Sequence, residues 1–576
     1  MVTLTALFFS HALAQESITV TAERFARAKT QSTGSVLSFD EDDIRRSGAT
    51  SLSDILKNES GISTVNNGSF GKSGSLFIRG TDSRHTLILI DDIAINDPTS
   101  IAGEPRFEYI SLSDVERIEV LKGSQSALYG QQAIGGVIKV TTKKSGERKS
   151  NLKVGIGSYD QRMVAGDTKV KRGNLDFFFS GDHQEARGLS ATASKQTIQE
   201  KDSYSLLRFK ARVGIETLHN GRFTFSTQQI KASSDYDNAP SDDANYSHYD
   251  QSQFGLQHII DFQTMSWKNS FQTTKVNRDT TGNYHYEADQ RKLETEIFSN
   301  NFGLGVSYQK DKAIAFDSVL VGNKILENKS AFARSSIELM KLTLDGAIRY
   351  EDIAQYDGEL TYRIGANLQT TNFLNFKSSY STGIKSPSLY QLYGQYGNIN
   401  LLPEKSRSFD AGFDLHLKNH QFEATFFKID YEEYINFGTS RYENTSGAEI
   451  RGVEISNSSR FEIMDIKASY TRLETRDHTN NLQLKRRPKH AAKISNSYYF
   501  FDHFEFGHIF SYLGRRDDVG GVNPSYVLVA LNSIYHFNQE TSLSLQLDNI
   551  LDHDYEEVRG YQTAGRSFKL DLRMIW

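Results

Sequence analysis

The sequence contains no cysteine among its 576 residues, and it has only 7 prolines and 2 tryptophans. The lack of cysteine excludes disulfides and thiolate metal sites. No stretch approaches the roughly 18 consecutive apolar residues that a membrane-spanning helix requires. The formal net charge is −5, and no basic cluster stands out, so nothing indicates a nucleic-acid partner.

Catalytic signatures are missing as well. There is no H-E-x-x-H pattern, and Asn66 stands where a P-loop ending at Lys72-Ser73 would need its first glycine. No G-x-S-x-G pattern surrounds Ser124 or Ser126. We therefore expect no enzymatic activity and no cofactor that is required for chemistry.

Aromatic residues and glycine are abundant, with 28 Tyr, 36 Phe and 42 Gly, a composition that favours strands. The final residues show the strand pattern most clearly, because Phe568, Leu570, Leu572, Met574 and Trp576 alternate with charged residues. Charges are costly against lipid, so this alternation predicts a membrane β-strand with its polar face toward a lumen.

The N-terminus predicts an exported protein. Residues 4–13 are mostly apolar, and Ala12-Leu13-Ala14 is an A-x-A cleavage pattern, so we interpret residues 1–14 as a signal peptide. A basic residue before this apolar run is missing, which leaves the alternative of an incidental apolar N-terminus.

The chain changes character near residue 146. Residues 23–146 mix short strands with helical segments and predict a small α+β domain, whereas residues 147–576 repeat alternating strands and turns. About 20 membrane strands of 9–11 residues fit into the second part. A barrel that wide needs a filled lumen. We therefore predict an all-β membrane protein with an antiparallel barrel of about 22 strands, and an α+β plug domain inside it. A soluble all-β repeat protein is the alternative.

Several motifs, in this order, resemble the TonB-dependent outer-membrane transporters over nearly the whole chain. They are Phe77 to Gly80 (FIRG), Leu87 to Asp91 (LILID), Val115 to Gly123 (VERIEVLKG), Ala127 to Gly130 (ALYG), Asp548 to Asp552 (DNILD) and Tyr555 to Arg566 (YEEVRGYQTAGR). The GYQTAGR ending is most similar to the vitamin B12 (cobalamin) branch of that family.

The resemblance implies a TonB-binding segment, the Ton box, at residues 15–22. Glu16 to Ala22 reads ESITVTA, and strand addition would give TonB its affinity through backbone hydrogen bonds. The implied partner is the TonB–ExbB–ExbD complex, and the implied contact residues are Ser17, Ile18, Thr19, Val20 and Thr21.

It also implies an ionic lock between plug and barrel. In the family, two barrel carboxylates pair with plug arginines, and these positions match Glu404 and Glu454, with Arg79 as one basic partner. The second basic position is Lys122 here, which keeps the charge but loses the bidentate fork. Ordinary ion pairs of a barrel lumen are the alternative interpretation.

The ligand contacts of the cobalamin branch fall on small polar residues, which suit the amide side chains of a corrin. The matching positions are Ser73, Ser75, Asp82, Ser100, Ile101 and Arg486. That branch also orders two outer loops with calcium, which prefers six to eight oxygen ligands. The matching loops, residues 190–202 and 233–243, offer Glu200, Asp202, Asp237, Asp242 and Asp243 as metal ligands.

The resulting functional hypothesis is TonB-dependent import of cobalamin by a monomer in the lipid of a Gram-negative outer membrane. A second hypothesis changes only the ligand, to an iron-siderophore, haem or another metal chelate. A third changes the class, to a passive porin or a surface adhesin, although neither needs a plug or a Ton box.

Overall fold

The computed structural model describes residues 19–24, 27–143, 149–192, 200–218, 220–239, 241, 243–317 and 319–576. The predicted signal peptide, the first half of the predicted Ton box with Ser17 and Ile18, the boundary between residues 146 and 147, and Asp242 all lie outside these residues. In the described part of the chain, no helix is long and apolar enough to cross a membrane.

The N-terminal domain contains short strands and three short helices. In chain order these are β1 (Thr19–Val20), β2 (Arg27–Ala28), β3 (Val36–Asp40), α1 (Glu41–Ser47), α2 (Leu52–Leu56), β4 (Ile62–Asn66), β5 (Gly74–Ile78), β6 (Thr86–Ile90), β7 (Ile93–Ala94), β8 (Val115–Lys122), α3 (Ser126–Tyr129) and β9 (Gly136–Thr142).

A five-stranded mixed sheet in the order β3-β8-β9-β6-β7 is the centre of this domain. Strand β6 is wholly buried and pairs in parallel with β9, which explains its continuous apolar sequence. Residues 41–56 form two helices rather than one, because Gly48 ends α1 in the left-handed region at φ 68°. Ser51 and Asp54 then form a capping box that begins α2.

The rest of the chain is almost entirely β-structure. Its strands are β10 (Lys149–Gly157), β11 (Gln161–Arg172), β12 (Leu175–Ala186), β13 (Tyr204–Thr217), β14 (Gly221–Tyr236), β15 (Asn245–Asp261), β16 (Ser266–Thr280), β17 (Tyr284–Phe298), β18 (Phe302–Phe316), β19 (Val319–Leu339), β20 (Leu342–Ile353), β21 (Glu359–Gln369), β22 (Leu374–Lys385), β23 (Glu404–Leu417), β24 (His420–Glu432), β25 (Tyr434–Phe437), β26 (Tyr442–Thr445), β27 (Ala448–Arg460), β28 (Met464–Asp477), β29 (His490–Phe500), β30 (Phe504–Leu513), β31 (Arg516–Asp518), β32 (Gly521–Asn523), β33 (Tyr526–His536), β34 (Thr541–Asp548) and β35 (Ser567–Ile575), with one helix, α4 (Leu389–Tyr393), between β22 and β23.

Twenty-two of the described strands close into one antiparallel barrel, and this confirms the predicted fold class. Closure occurs where β10 pairs with β35, in a register that joins Asn151 to Ile575. The hairpins β25–β26 and β31–β32 lie outside the barrel sheet, in connections at its outer end. Turns at the opposite, periplasmic end are short, as membrane barrels require.

Alternation along the last strand agrees with the prediction. Phe568 and Trp576 are exposed on the outer surface, whereas Asp571 is buried inside the barrel. Lys569 donates to the carbonyl of Gly48, and Arg573 forms an ion pair with Glu41, so the charged face of this strand contacts the N-terminal domain. That domain therefore fills the lumen as a plug.

Candidate functional site: the plug–barrel contacts and the outer mouth

Arg79 is the most deeply buried cation between plug and barrel. It follows β5 with a left-handed φ of 53°, and its side chain is 0% exposed. Its Nε donates to Oε1 of Glu454 on β27 at 2.9 Å, and its Nη1 bonds to Asp410 on β23. The guanidinium also lies over the ring of Phe427, 4.6 Å from the centroid. Both arms of the planar fork are therefore used.

Lys122 approaches the same carboxylate at the end of β8. Its Nζ donates to Oε2 of Glu454 at 3.1 Å and to the carbonyl of Ser60 at 2.6 Å. Gly61 makes this approach possible, because a Cβ there would lie 1.8 Å from Oε1 of Glu454. The lysine thus serves as a point-charge partner where the family motif has an arginine.

Glu404 lies in a separate contact, with partners that differ from the predicted Arg79. Its Oε1 accepts from Arg84 at 3.0 Å, and its Oε2 lies 3.1 Å from Nε2 of the buried His85. The backbone N–H of Ile435 donates to the same carboxylate at 2.9 Å. The barrel carboxylate that joins Glu454 at Arg79 is instead Asp410, which shares its strand and its face with Glu404.

The described end of the predicted Ton box is folded against the plug. Thr19 and Val20 form β1, which pairs with Arg27 and Ala28 of β2. Thr21 donates from its backbone N–H and its hydroxyl to Glu119, at 3.0 and 2.9 Å. One edge of this segment is therefore already occupied by β2.

Arg24 lies two residues after the predicted Ton box and joins the N-terminal segment to the barrel wall. It lies 3.0 Å from Glu294 and 3.2 Å from Glu296, both on β17. Its guanidinium is also 4.8 Å from the centre of the Tyr129 ring. A cavity of about 260 Å³ adjoins these residues on the lower half of the barrel wall.

The predicted ligand residues are spread over the outer face of the plug and one loop. Ile101 is 47% exposed in the apical loop of residues 97–106, whereas the hydroxyl of Ser100 is used inside that loop, on the carbonyls of Asp97 and Glu104. Ser73 is exposed and Ser75 is half-buried.

The remaining two predicted ligand residues form ion pairs. Asp82 caps a short 3₁₀ helix and lies 3.4 Å from Arg487. Arg486 forms an ion pair with Asp518 at 2.9 Å, in the connection between β30 and β33. Of these two neighbouring arginines, it is thus Arg487 whose side chain contacts the plug, and it also donates to the carbonyl of Gly80.

Aromatic residues and one arginine, missed by the sequence interpretation, surround the apical loop. Arg278 on β16 donates to the carbonyl of Thr99 at 3.0 Å and lies 4.2 Å from the centre of the Tyr286 ring. Tyr390 on α4 packs against Tyr286 and Tyr442. The outer mouth therefore combines a cation with several π faces.

Three of the five predicted metal ligands come together. Carboxylate oxygens of Glu200, Asp202 and Asp237 lie within 4.8 Å of one another. Asp243 is attached only through its backbone N–H, which donates to Asp237 at 2.9 Å. Burial raises the pKa of Asp202 to about 7.

Lys72 of the plug ties the loops that carry these carboxylates. Its buried Nζ donates to the carbonyls of Asp202 at 3.1 Å, Ser203 at 3.0 Å and Asp235 at 2.6 Å. Burial lowers the pKa of this lysine to about 8. Both acidic loops therefore rest on one plug side chain.

Two family models match this chain. The TonB dependent receptor-like β-barrel model covers residues 150–550, and the TonB-dependent receptor plug domain model covers residues 28–137. The first match alone spans more than half of the chain. The chain belongs to the TonB-dependent receptors.

Solved structures with the same architecture include three iron-uptake proteins. The siderophore receptor PirA from Acinetobacter baumannii has a TM-score of 0.86 at 17% identity, covering 97% of this chain and 100% of that chain. A mutant of the ferric enterobactin receptor PfeA from Pseudomonas aeruginosa, in complex with enterobactin, has a TM-score of 0.81 at 18% identity, covering 95% and 100%. The FrpB iron transporter from Neisseria meningitidis has a TM-score of 0.82 at 16% identity, covering 94% and 100%.

These identities are low, so for this TonB-dependent receptor the likeness establishes the fold of outer-membrane receptors and leaves the ligand open. The family is one of receptors and transporters rather than enzymes, in agreement with the missing catalytic motifs. The cobalamin specificity and the calcium site that the sequence predicts stay predictions.

Proposed function

We propose that this TonB-dependent receptor imports a metal chelate across the outer membrane of a Gram-negative bacterium, in a step driven by TonB. The observation that carries the proposal is the plug itself. It fills the lumen, and Arg79 and Lys122 tie it to Glu454 through buried contacts. Such a lumen needs an energy-driven rearrangement before a bulky solute can pass. A passive porin has no use for this arrangement.

A ferric siderophore is the ligand class that we favour. Structural relatives of this chain include receptors for siderophores, one of them in complex with enterobactin. The outer mouth also carries Arg278 against Tyr286, and a cation beside aromatic faces suits an anionic chelate with aromatic rings.

Cobalamin is the second candidate, because the GYQTAGR ending resembles that branch. Local packing already accounts for part of this motif. Tyr561 of the motif lies against a cluster formed by Val65 and Phe77 of the plug and Val558, which precedes the motif. The Tyr561 hydroxyl donates to the carbonyl of Asp237 at 3.3 Å, and the Gln562 N–H donates to the carbonyl of Ala191 at 2.8 Å. This loop holds neighbouring loops together whatever the ligand is.

Equilibrium binding to the purified receptor separates the two ligands. Ferric enterobactin and cyanocobalamin are titrated in parallel, and tight binding of the first alone is the expected result. Uptake in cells then tests energy coupling, with a variant that lacks residues 16–22 as the control. Binding without accumulation in that variant is expected. If only cyanocobalamin binds, cobalamin becomes the proposed ligand in place of the siderophore. Uptake that survives the deletion would overturn the TonB-driven step.

We also propose that Glu200, Asp202 and Asp237 hold a calcium ion in the outer loops. Their oxygens are the ligand type that calcium prefers, and Oδ1 of the buried Asp202 has no hydrogen-bond partner. Three carboxylates this close repel one another, and a divalent cation would relieve that repulsion.

A further inference from the structure

A cavity of about 340 Å³ separates the plug from one sector of the barrel wall, strands β28 to β35. Its lining includes Asp465 and Ser497, near the periplasmic ends of β28 and β29, and also Ala564 and Gly565 in the outer connection before β35. The cavity thus reaches from the periplasmic part of the wall to the outer loops. We call this space the β28–β35 cleft.

A second cavity of about 200 Å³ continues the cleft outward. The two share Thr50, Asp54 and Lys57 of the plug and Tyr555 of the wall. The second is also lined by residues 68–72 of the plug and by Tyr204, below the acidic loops. The cavity beside Arg24 differs, because its lining contains no residue of the long outer connections.

Two ion pairs that cross the cleft or its outward continuation are partly exposed to solvent, unlike the deepest contacts between plug and barrel. Lys467 pairs with Asp43 across it with 43% of the lysine side chain exposed, and Lys57 pairs with Glu557 at 2.5 Å with 29% exposed. By contrast, the side chains of Arg79 and Arg208, which bind the plug to other sectors, are 0% and 3% exposed.

We expect this difference in exposure to decide which of these contacts breaks first. Solvent-exposed ion pairs contribute little, because water and salt replace the lost partner. Removing a partner from a buried pair leaves an unpaired charge inside the protein and is far more costly. The wall of the cleft mixes Ser495, Ser511 and Ala530 with the apolar Ile509 and Leu528, and the cavity between this wall and the plug limits the packing that opposes separation.

We infer that the plug separates from the barrel first along the β28–β35 cleft, and that a polar solute crosses the lumen on this side. The inference rests on the proposed transport function. It assigns the route to the face of the plug formed by α1 and α2, while the contacts of Arg79, Arg84 and Arg208 keep the other faces attached.

Crosslinking across the cleft tests the route. Because the chain has no cysteine, only the introduced thiols can react with the crosslinker. One variant carries Asp43→Cys with Lys467→Cys, across the cleft. The matched control carries Asp92→Cys with Lys268→Cys, which replaces another plug aspartate and barrel lysine, 2.9 Å apart beside the shorter cavity. Both are folded first and then joined by a short bifunctional thiol reagent, so neither needs to fold with the crosslink in place.

The first measurement is ion conductance of each purified protein in a planar bilayer as urea loosens the plug, which needs neither ligand nor TonB. We expect the unlinked and control-linked proteins to conduct at the same urea concentration and the cleft-linked protein to lose this conductance. Three results would overturn the inference. The two linked proteins could conduct equally, only the control-linked protein could lose conductance, or the unlinked protein could fail to conduct before the barrel unfolds.

Uptake of ferric enterobactin in cells is the second measurement. Failure of uptake in the unlinked receptor would count against the proposed ligand and leave the conductance result valid. If the unlinked receptor takes up the chelate, the cleft-linked receptor should lose uptake and the control-linked receptor should keep it.

Discussion

Arg24 Nη2 lies 3.0 Å from Oε1 of Glu294, so the chain is bound to the barrel wall two residues after the predicted Ton box. A second carboxylate, Glu296, lies 3.2 Å from its other terminal nitrogen. The two glutamates face the same side of β17 and would repel each other without the arginine. The N-terminal segment is thus tied to the barrel as well as to the plug.

Arg24→Ala should release the N-terminal segment. It removes a cation that two buried carboxylates share, but Glu294 keeps Lys292 and Glu296 keeps Arg334, so the loss should be smaller than the roughly 3–5 kcal/mol of a fully unpaired buried charge. A spin label at Thr19→Cys should become mobile in the variant while the barrel stays folded. Lys29→Ala, which removes another pair with the barrel, is the control and should leave the label immobile. An immobile label in Arg24→Ala would show that β1 is held by the plug alone.

Arg79→Lys should weaken the plug although it keeps the charge. A lysine cannot reach both Asp410 and Glu454 in the planar geometry that Arg79 uses. Because Glu454 keeps Lys122, we expect Asp410 to be the carboxylate that loses its cation. We expect the free energy of unfolding of the plug to fall by about 1–3 kcal/mol, the cost of an unsatisfied buried group. Denaturant unfolding of the purified receptor measures this change.

The matched control is Arg407→Lys, at an exposed pair with Glu432 on the barrel surface. It should leave stability unchanged, because exposed pairs contribute little. Equal effects of the two substitutions would contradict the role assigned to the buried fork.

The barrel could be predicted from the sequence because lipid and lumen impose opposite demands on alternate residues. Lys569, Asp571 and Arg573 can only face inward, and that parity fixes the orientation of the strand. The same parity places Glu404 and Asp410 on the lumen side of β23. It does not say which plug cation each meets, because those partners lie more than 300 residues away. Which of Arg79 and Arg84 pairs with each carboxylate is evident only from the three-dimensional structure.

The calcium proposal predicts a pH dependence of the outer loops. The pKa of Asp202 is raised to about 7, chiefly by burial, from an ordinary value of 3.8. Without a cation, the folded loops hold a proton that the unfolded chain has released, so loop stability falls as pH rises from about 4 to about 7. Calcium binds the deprotonated carboxylates, so the stabilisation of the loops by calcium should grow as pH rises over the same range.

Protease resistance of the outer loops measures this, in chelator and in calcium. In chelator, resistance should be lower at pH 8 than at pH 5, and calcium should restore it at pH 8. Asp202→Asn should abolish both effects, whereas Glu185→Gln, at an exposed carboxylate outside the cluster, should change neither. Loops that ignore calcium at pH 8 would remove the metal from the proposal.

Arg278→Ala tests the ligand site and separates the two ligand classes. Arg278 meets the plug apex at the carbonyl of Thr99, whereas Arg486, which the cobalamin resemblance selects, is paired with Asp518. If an anionic ferric chelate binds at this apex, losing Arg278 removes a charge-assisted contact of about 1.5–3 kcal/mol, roughly a tenfold or greater loss of affinity. Titration of ferric enterobactin should show this loss in Arg278→Ala, whereas Arg486→Ala should bind with unchanged affinity.

The opposite pattern, with cyanocobalamin binding weakened by Arg486→Ala alone, would place the ligand beside β31 and β32 and favour the corrinoid.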